Sequence, residues 1–362
     1  MKLINTAFGI LGAKFLGRPF YLRFQITLKC NYGCRMCGIH RGEGLSTELS
    51  QQQINEVARR LARLGARHVV ITGGEPFLRQ DLPDVIAAFA SNGFSVRVQT
   101  NGGPQVTREF LAECERAGLR DLSVSVDTLD ERVQDSICGT RNVVENALRS
   151  LRLAKELLPE GITQANVVGS RYNFEELPAL VSFFWRSGVY TYITPVMISQ
   201  ATDRPNGDYR FRGSDEAFSL RGLDPDVRDR IVNELISLRR RRIGLTNSTR
   251  FLQDWRRYMA NEDAGWRCQA GQLSLDIRPD GGICFCKEQE PIGNILDESF
   301  LSFYRSREFR RQAAEAANAC EGCFYGEYRE PYYAVRDMAV LGEWLRDWFF
   351  TFRHGMRFSR RR

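Results

Sequence analysis

The sequence predicts an α/β protein, a partial (β/α)6 TIM-like barrel followed by a small cysteine-rich C-terminal module, with amphipathic helices at both termini. Three observations predict it. From Tyr21 to about Pro195, short β-branched runs alternate with helical periodicity, the pattern of right-handed βαβ units and a parallel sheet. The chain has 362 residues, 43% hydrophobic and 26% charged, enough for one large globular domain and an appendage. Five of its ten cysteines fall within the Gly-rich stretch 266–326, which reads as a metal-stapled module.

The first segment, 1–20, faintly imitates a secretory signal but lacks a small-residue cleavage site and leads straight into cysteines, so it reads as mature sequence. Its Ile4, Phe8, Leu11 and Phe15 recur at helical spacing beside Lys2 and Lys14. The barrel occupies 21–200. Its strands are expected at Tyr21–Leu28, His68–Thr72, Ser95–Thr100, Leu122–Asp127, Gln164–Val168 and Thr191–Val196. Helices are expected at about 50–64, 81–91, 107–117, 142–158 and 173–187, with Ser50, Asp81 and Asn173 as N-caps and Gly65, Gly93, Gly118 and Gly188 as stops. Six strands are too few for an eight-unit barrel, so the barrel is open. A connecting region, 201–265, holds polar turns and a basic helix, about Asp226–Arg242, whose Arg run 239–242 reads as a solvated end. The module at 266–330 follows. The last segment, 331–362, carries the stripe Leu341, Trp344, Leu345, Trp348, Phe349 and Phe352 ahead of an Arg-rich end.

Net charge is +7, but the first 23 residues carry four basic and no acidic side chains and the last ten carry five Arg. The body is therefore close to neutral, which argues against a nucleic-acid partner. No apolar run is long enough to span a bilayer. The basic, aromatic ends suit peripheral docking on an anionic membrane, or else close the barrel ends as core. Cysteines in close groups speak for metal rather than disulfides, hence a cytoplasmic location, at the inner membrane face if the ends dock there.

Cys30-x3-Cys34-x2-Cys37 follows the first strand, where a βα loop lies at the C-terminal mouth of a barrel. Three thiolates with no nearby fourth Cys, and His40 too close behind Cys37, suit an iron–sulfur cluster with one open iron better than a closed zinc site. Joined to Gly73-Gly74-Glu75-Pro76 at the end of the second strand, this triad resembles the radical S-adenosylmethionine (SAM) superfamily over residues 20–200.

The resemblance implies a 4Fe–4S cluster on Cys30, Cys34 and Cys37 whose open iron chelates SAM. Gly73, Gly74, Glu75 and Pro76 would form the strand end that holds the SAM amino group, through backbone carbonyls and the Glu75 carboxylate. Met36, where the family usually has an aromatic or apolar residue, would pack on adenine. Asn101, Ser125 and Asp127 match cofactor or substrate contacts, or are simply strand-end caps, and Ser170 and Arg171 match contacts to SAM carboxylate or ribose. The implied chemistry is reductive cleavage of SAM to a 5′-deoxyadenosyl radical, fed by a one-electron donor such as flavodoxin or ferredoxin, with Asp127 as a base.

Cys268-x12-Gly281-x4-Cys286, Gly293-Asn294 and Cys320-x2-Cys323 resemble the auxiliary module of SPASM and twitch enzymes, and RPDGGICFC resembles its ligand-bearing hairpin. With no Cys beyond Cys323, the resemblance implies one auxiliary 4Fe–4S cluster on Cys268, Cys286, Cys320 and Cys323. Cys284 competes with Cys286, being two residues earlier on the same strand face, and a zinc ribbon could use the same thiolates. Cys114 and Cys138 read as packed small hydrophobes, Cys138 also as a hydrogen-atom donor if it reaches the mouth. Phe183, Phe184 and Trp185 read as core, and none of the three His is assigned chemistry.

The expected function is hydrogen abstraction from a small-molecule, carrier-linked or lipid-linked substrate, leading to oxidation, epimerisation or bond formation. Peptide (RiPP) maturation is the alternative enzyme, against which only 29 residues precede Cys30, too few for a fused peptide-binding winged-helix domain. A non-catalytic iron–sulfur carrier or zinc-stapled scaffold leaves the GGEP strand end unexplained.

Overall fold

The computed structural model describes residues 19, 21–39, 47–198, 215–262, 265–320 and 323–347. The N-terminal stripe, His40, His354, Trp348, Phe349, Phe352 and the Arg-rich end lie outside them.

Strands β1 (Tyr21–Thr27), β2 (His68–Gly73), β3 (Ser95–Thr100), β4 (Asp121–Ser125), β5 (Thr163–Gly169) and β6 (Tyr190–Pro195) pair in sequence order, all parallel. Between them run α1 (Gln51–Arg63), α2 (Leu82–Ser91), α3 (Arg108–Arg116), α4 (Glu131–Cys138), α5 (Val143–Leu157) and α6 (Leu177–Arg186). Ser50 caps α1 through a capping box with Gln53. Asp81, at the start of α2, makes no side-chain cap bond, because Arg79 takes its carboxylate at 2.6 and 2.8 Å. The last helix starts later than expected, because Asn173 is used differently. Its amide donates to the Asp127 carbonyl at 2.6 Å and the Val168 carbonyl at 3.0 Å, tying the ends of β4 and β5 together.

Along each strand, apolar residues such as Leu22, Phe24, Ile26, Val96, Val98, Leu122 and Val124 are buried in the core. The alternate positions are polar. Arg23, Arg97, Gln99, Ser123, Ser125, Gln164, Asn166 and Tyr192 line a cavity of about 1720 Å³ on the concave side of the sheet. A sheet buried on both faces reads as a continuous apolar run; this one has one apolar face and one polar face because its interior is left open for a ligand.

Two devices close the open edges. At β1, the cysteine-rich segment adds β7 (Ser274–Ile277) in parallel, followed by antiparallel β8 (Gly282–Cys284) and β9 (Gly293–Asn294), giving one nine-stranded sheet. The expected RPDGGICFC hairpin is present, turning at Gly281 with φ +86°. At β6, Asn247 caps the edge by exchanging 2.8 Å hydrogen bonds with the backbone of Ile193. Asn247 lies between α7 (Pro225–Arg240) and α8 (Thr249–Met259), and α9 (Phe300–Arg305) and α10 (Arg307–Asn318) follow β9.

Helix α11 (Gly326–Arg336) then bridges the gap between the two edges. A Cβ on Gly326 would overlap the Tyr192 hydroxyl of β6. The next residue, Glu327, reaches Arg23 of β1 at 3.5 Å, and Tyr328 donates to Asp276 of β7 at 2.8 Å.

Of the Arg run 239–242, Arg240, Arg241 and Arg242 are exposed as a solvated helix end would be, and Arg239 alone departs from expectation. Arg239 is buried, donates to the Leu245 carbonyl, and pairs with Glu343 at 3.3 Å and Asp347 at 2.6 Å, both in the helical residues 338–347. Leu341 and Trp344 of that segment are half-buried and pack with Tyr21 and Leu273, while Leu345 is exposed. Among the described residues no helix is long and apolar enough to cross a membrane.

Arg23 and Asp276 are direct partners across β1 and β7, buried, with Nη1 to Oδ1 at 3.0 Å. Removing one member leaves the other charge stranded in a low-dielectric site. Asp276→Ala is therefore expected to cost about 3 kcal/mol in chemical denaturation, and pairing it with Arg23→Met to restore part of that loss.

Candidate functional site

The triad loop leaves β1 and is clipped to the end of α4. Gly33 N donates to the Cys138 carbonyl at 3.0 Å and Arg35 N to the Ile137 carbonyl at 2.9 Å, so Cys34 lies between two anchored residues and against the Cys138 thiol. Cys30, Cys34, Met36, Cys37 and Cys138 all line the cavity. The Cys138 thiol and burial push Cys34 well up, and burial pushes Cys30 up to about 11. Thiolates are disfavoured there unless a cation compensates them, and an iron cluster supplies that charge. Donor type, loop anchoring and a shared wall therefore fit a cluster on this loop.

Gly73 and Gly74 line the same wall, but their small size serves the chain itself. A Cβ on Gly73 would overlap the Thr27 carbonyl oxygen, and one on Gly74 the Lys29 carbonyl oxygen. Gly73 also has φ +137°, a left-handed value that favours glycine. Gly74 N donates to the Thr27 carbonyl and Glu75 N to the Lys29 carbonyl, both at 2.8 Å. The end of β2 is thus seated on the three residues that lead into Cys30.

The Glu75 carboxylate has partners within the chain. It is fully buried and faces its own chain, accepting from Phe77 N at 2.9 Å, Thr100 Oγ1 at 2.7 Å and Asn101 N at 2.7 Å. Rather than reaching into the cavity, it holds the start of the Asn101 turn, and Pro76 is buried beside it. Asn101 lines the cavity. Its side chain donates to Asn31 at 2.8 Å and accepts from Gln105 at 2.9 Å, and Asn31 donates to Gln105 at 3.0 Å, making an amide ring beside Cys30.

Ser125 and Asp127 also face the cavity. The Asp127 carboxylate accepts from Val168 N at 2.8 Å and Gln134 Nε2 at 3.4 Å, and burial pushes it up to about 6. Ser170 and Arg171 are not among the residues that line the cavity. Ser170 is buried in the Asn173 turn, and Arg171 donates to the Ser219 and Arg221 carbonyls at 3.1 and 2.6 Å.

In the second cysteine group, Cys268 lies near Cys320 and Cys286 near Cys323. Cys284 is buried at the end of β8 beside the Arg278 guanidinium, and burial pushes it up to about 12. The strand stops there, so strand alternation does not carry on to Cys286, and the two thiols have separate surroundings. Among the described residues, no three His, Cys, Asp or Glu side chains converge closely enough to hold a metal ion unaided. Cys114 is buried in α3, and Phe184 is core. The polar interior was missed in the sequence, although its signal is there: Ser95, Arg97 and Gln99 alternate with Val96 and Val98.

Residues 24–184 match the Radical SAM superfamily model, and residues 268–324 match the SPASM model, an iron–sulfur cluster-binding domain. The chain belongs to the radical SAM superfamily. It is an enzyme that works with SAM and 4Fe–4S clusters, one of them in a SPASM-type module. This radical SAM enzyme is similar to GTP 3',8-cyclase of Yersinia pestis, 38% identical over 128 residues, covering 34% of this chain and 39% of the relative. It is also similar to GTP 3',8-cyclase of Vibrio atlanticus (strain LGP32), 32% identical over 174 residues, 47% of this chain and 52% of the relative. The chain spans about half the length of such relatives, or less. Among solved structures it shares its fold with Streptococcus suis SuiB, at TM-score 0.58 and 18% identity over 83% of this chain and 68% of that one. It shares it also with native anSMEcpe with bound AdoMet and Cp18Cys peptide, at TM-score 0.58 and 13% identity over 90% and 98%.

Gly74→Ala forces the β2 end off the Lys29 carbonyl and is expected to lower iron from about 8 to about 4 per chain. Iron analysis of anaerobically reconstituted protein checks this. Because the folded Asp127 takes a proton more readily than the unfolded one, its contribution to stability is full below the usual carboxylate range and is lost as pH rises through about 6. Lowering pH from 7.5 to 5 is therefore expected to shift the unfolding free energy of the wild type relative to Asp127→Asn by about 1 kcal/mol in favour of the wild type.

Proposed function

We propose that Cys30, Cys34 and Cys37 hold the SAM-binding 4Fe–4S cluster and that the substrate is a small polar molecule, or the head of a carrier- or lipid-linked one, enclosed in the barrel. Cys268, Cys286, Cys320 and Cys323 then hold the auxiliary cluster. One observation carries the proposal: a single cavity is lined by the three triad thiols, by the polar strand residues Arg97, Gln99 and Asn166, and by Lys287, the residue after Cys286.

When bound, SAM and the reduced cluster supply a 5′-deoxyadenosyl radical that takes a hydrogen atom from the substrate. Met36, Gly73, Gly74, Asn101 and Ser125 shape the SAM end of the cavity. The strand side chains below bind and orient the substrate, and the enclosing wall excludes water. Asp127 is positioned on that wall to accept a proton at its carboxylate. A flavodoxin- or ferredoxin-type protein delivers the electron. The name GTP 3',8-cyclase, carried by relatives that match 34% and 47% of this chain, supports a small-molecule substrate over a peptide.

Reduced wild-type protein is expected to form 5′-deoxyadenosine from SAM, and Cys34→Ala to form none while keeping about 4 Fe per chain. Wild-type-like turnover in the variant, or stoichiometric zinc in the second site, would overturn the assignment.

A further inference from the structure

Helix α11 occupies the place of missing barrel strands, and one face of it, Gly326, Glu327, Glu330 and Pro331, lines the cavity. Its two carboxylates differ in their surroundings. Glu327 is neutralised, by Lys287 Nζ at 2.6 Å and Arg23 Nη1 at 3.5 Å, and Arg23 is shared with Asp276. Glu330 is 6% exposed and accepts from Ser248, from its N to Oε1 at 2.8 Å and from its side chain. Its Oε2 is buried with no hydrogen-bond partner. The cation nearest it electrostatically, Arg239, is already held by Glu343 and Asp347.

The local charge count is therefore one negative group short of a counter-ion. Arg23 and Lys287 balance Asp276 and Glu327, Arg239 and Arg242 balance Glu343 and Asp347, and Glu330 is the carboxylate left over. Burial pushes Glu330 up to about 7, against the lowering effect of its Ser248 hydrogen bonds and of Arg239. A buried carboxylate of this kind is costly unless a donor meets it. The Tyr192 hydroxyl stands against the same end of α11, and across the barrel Ser123 Oγ is another buried cavity-lining atom without a partner.

We propose that the cavity face of α11 binds a cationic nitrogen group of the substrate, a primary ammonium or a guanidinium, with the Glu330 carboxylate as counter-charge and the Tyr192 hydroxyl beside it. The proposal rests on the reading of the barrel interior as the substrate site and narrows that substrate to an amine-bearing molecule. It makes Glu330 and Tyr192 specificity-determining residues, contributed by α11 and by the last barrel strand, β6. A ligand without the cation leaves the buried Glu330 without a counter-charge, which is the physical basis of rejection.

The test uses anaerobically reconstituted enzyme with SAM and isothermal titration with four probes: n-butylammonium, n-propylguanidinium, neutral n-butanol and anionic butyrate. At least one cationic probe is expected to bind ten-fold or more tightly than butanol, with butyrate weakest. Glu330→Gln keeps an acceptor for Ser248 N and is expected to remove that preference, and Tyr192→Phe to reduce it several-fold. Equal binding of cation and neutral isostere, preference for butyrate, or a preference unchanged in both variants overturns the proposal. Should Glu330→Gln fail to fold, the wild-type ranking and Tyr192→Phe decide. Formation of 5′-deoxyadenosine by the same wild-type preparation reports separately on the proposed function. Its presence without cation preference overturns this inference alone, whereas its absence with cation preference overturns the radical reading and upholds the cation site.

Discussion

A parallel sheet of six strands cannot close on itself, and the rest of the molecule is organised around covering its two edges. The hairpin that carries part of the second cysteine group is recruited to the β1 edge, Asn247 caps the β6 edge, and α11 fills the space between. The SPASM-type module is therefore part of the barrel wall. Its attachment through β7 puts Lys287 on the same cavity as Cys30.

That closure is made largely with charge and hydrogen bonds rather than apolar packing. Arg23, Asp276, Glu327, Lys287 and Tyr328 form one buried network at the junction of β1, β7 and α11. Such networks add little net stability but are expensive to break, which favours one register of the module on the barrel over others. An interior lined this way resists collapse, because burying those groups without water or ligand leaves them unsatisfied. The open cavity and the polar strand faces are two consequences of the same residue choice.

Near the triad, the chemistry depends on backbone closeness. Gly73 and Gly74 admit the Thr27 and Lys29 carbonyls, while Glu75 turns inward to hold Thr100 and Asn101. Each segment braces the next: β2 seats the start of the triad loop, Glu75 seats the Asn101 turn, and Asn101 joins the amide ring beside Cys30. The other end of the loop is held independently by the backbone of Ile137 and Cys138.

The sequence alone determined the six barrel strands, their parallel order and the two cysteine groups, because side-chain periodicity and close cysteine spacing are local properties of the chain. Strand bounds such as Ser95–Thr100 follow from alternation within a few residues, and the GGEP run carries its strand-end meaning wherever it is placed. Tertiary structure decided what depends on residues distant in the chain. It buried Arg239 against Glu343 and Asp347, although a run of arginines looks solvated in isolation. It turned Glu75 away from the cavity, moved Ser170 and Arg171 off the wall, and brought Glu330 onto it from a helix more than a hundred residues beyond β6. Periodicity tells which residues share a face, but which partner that face meets is set by long-range packing and by the charges already gathered there.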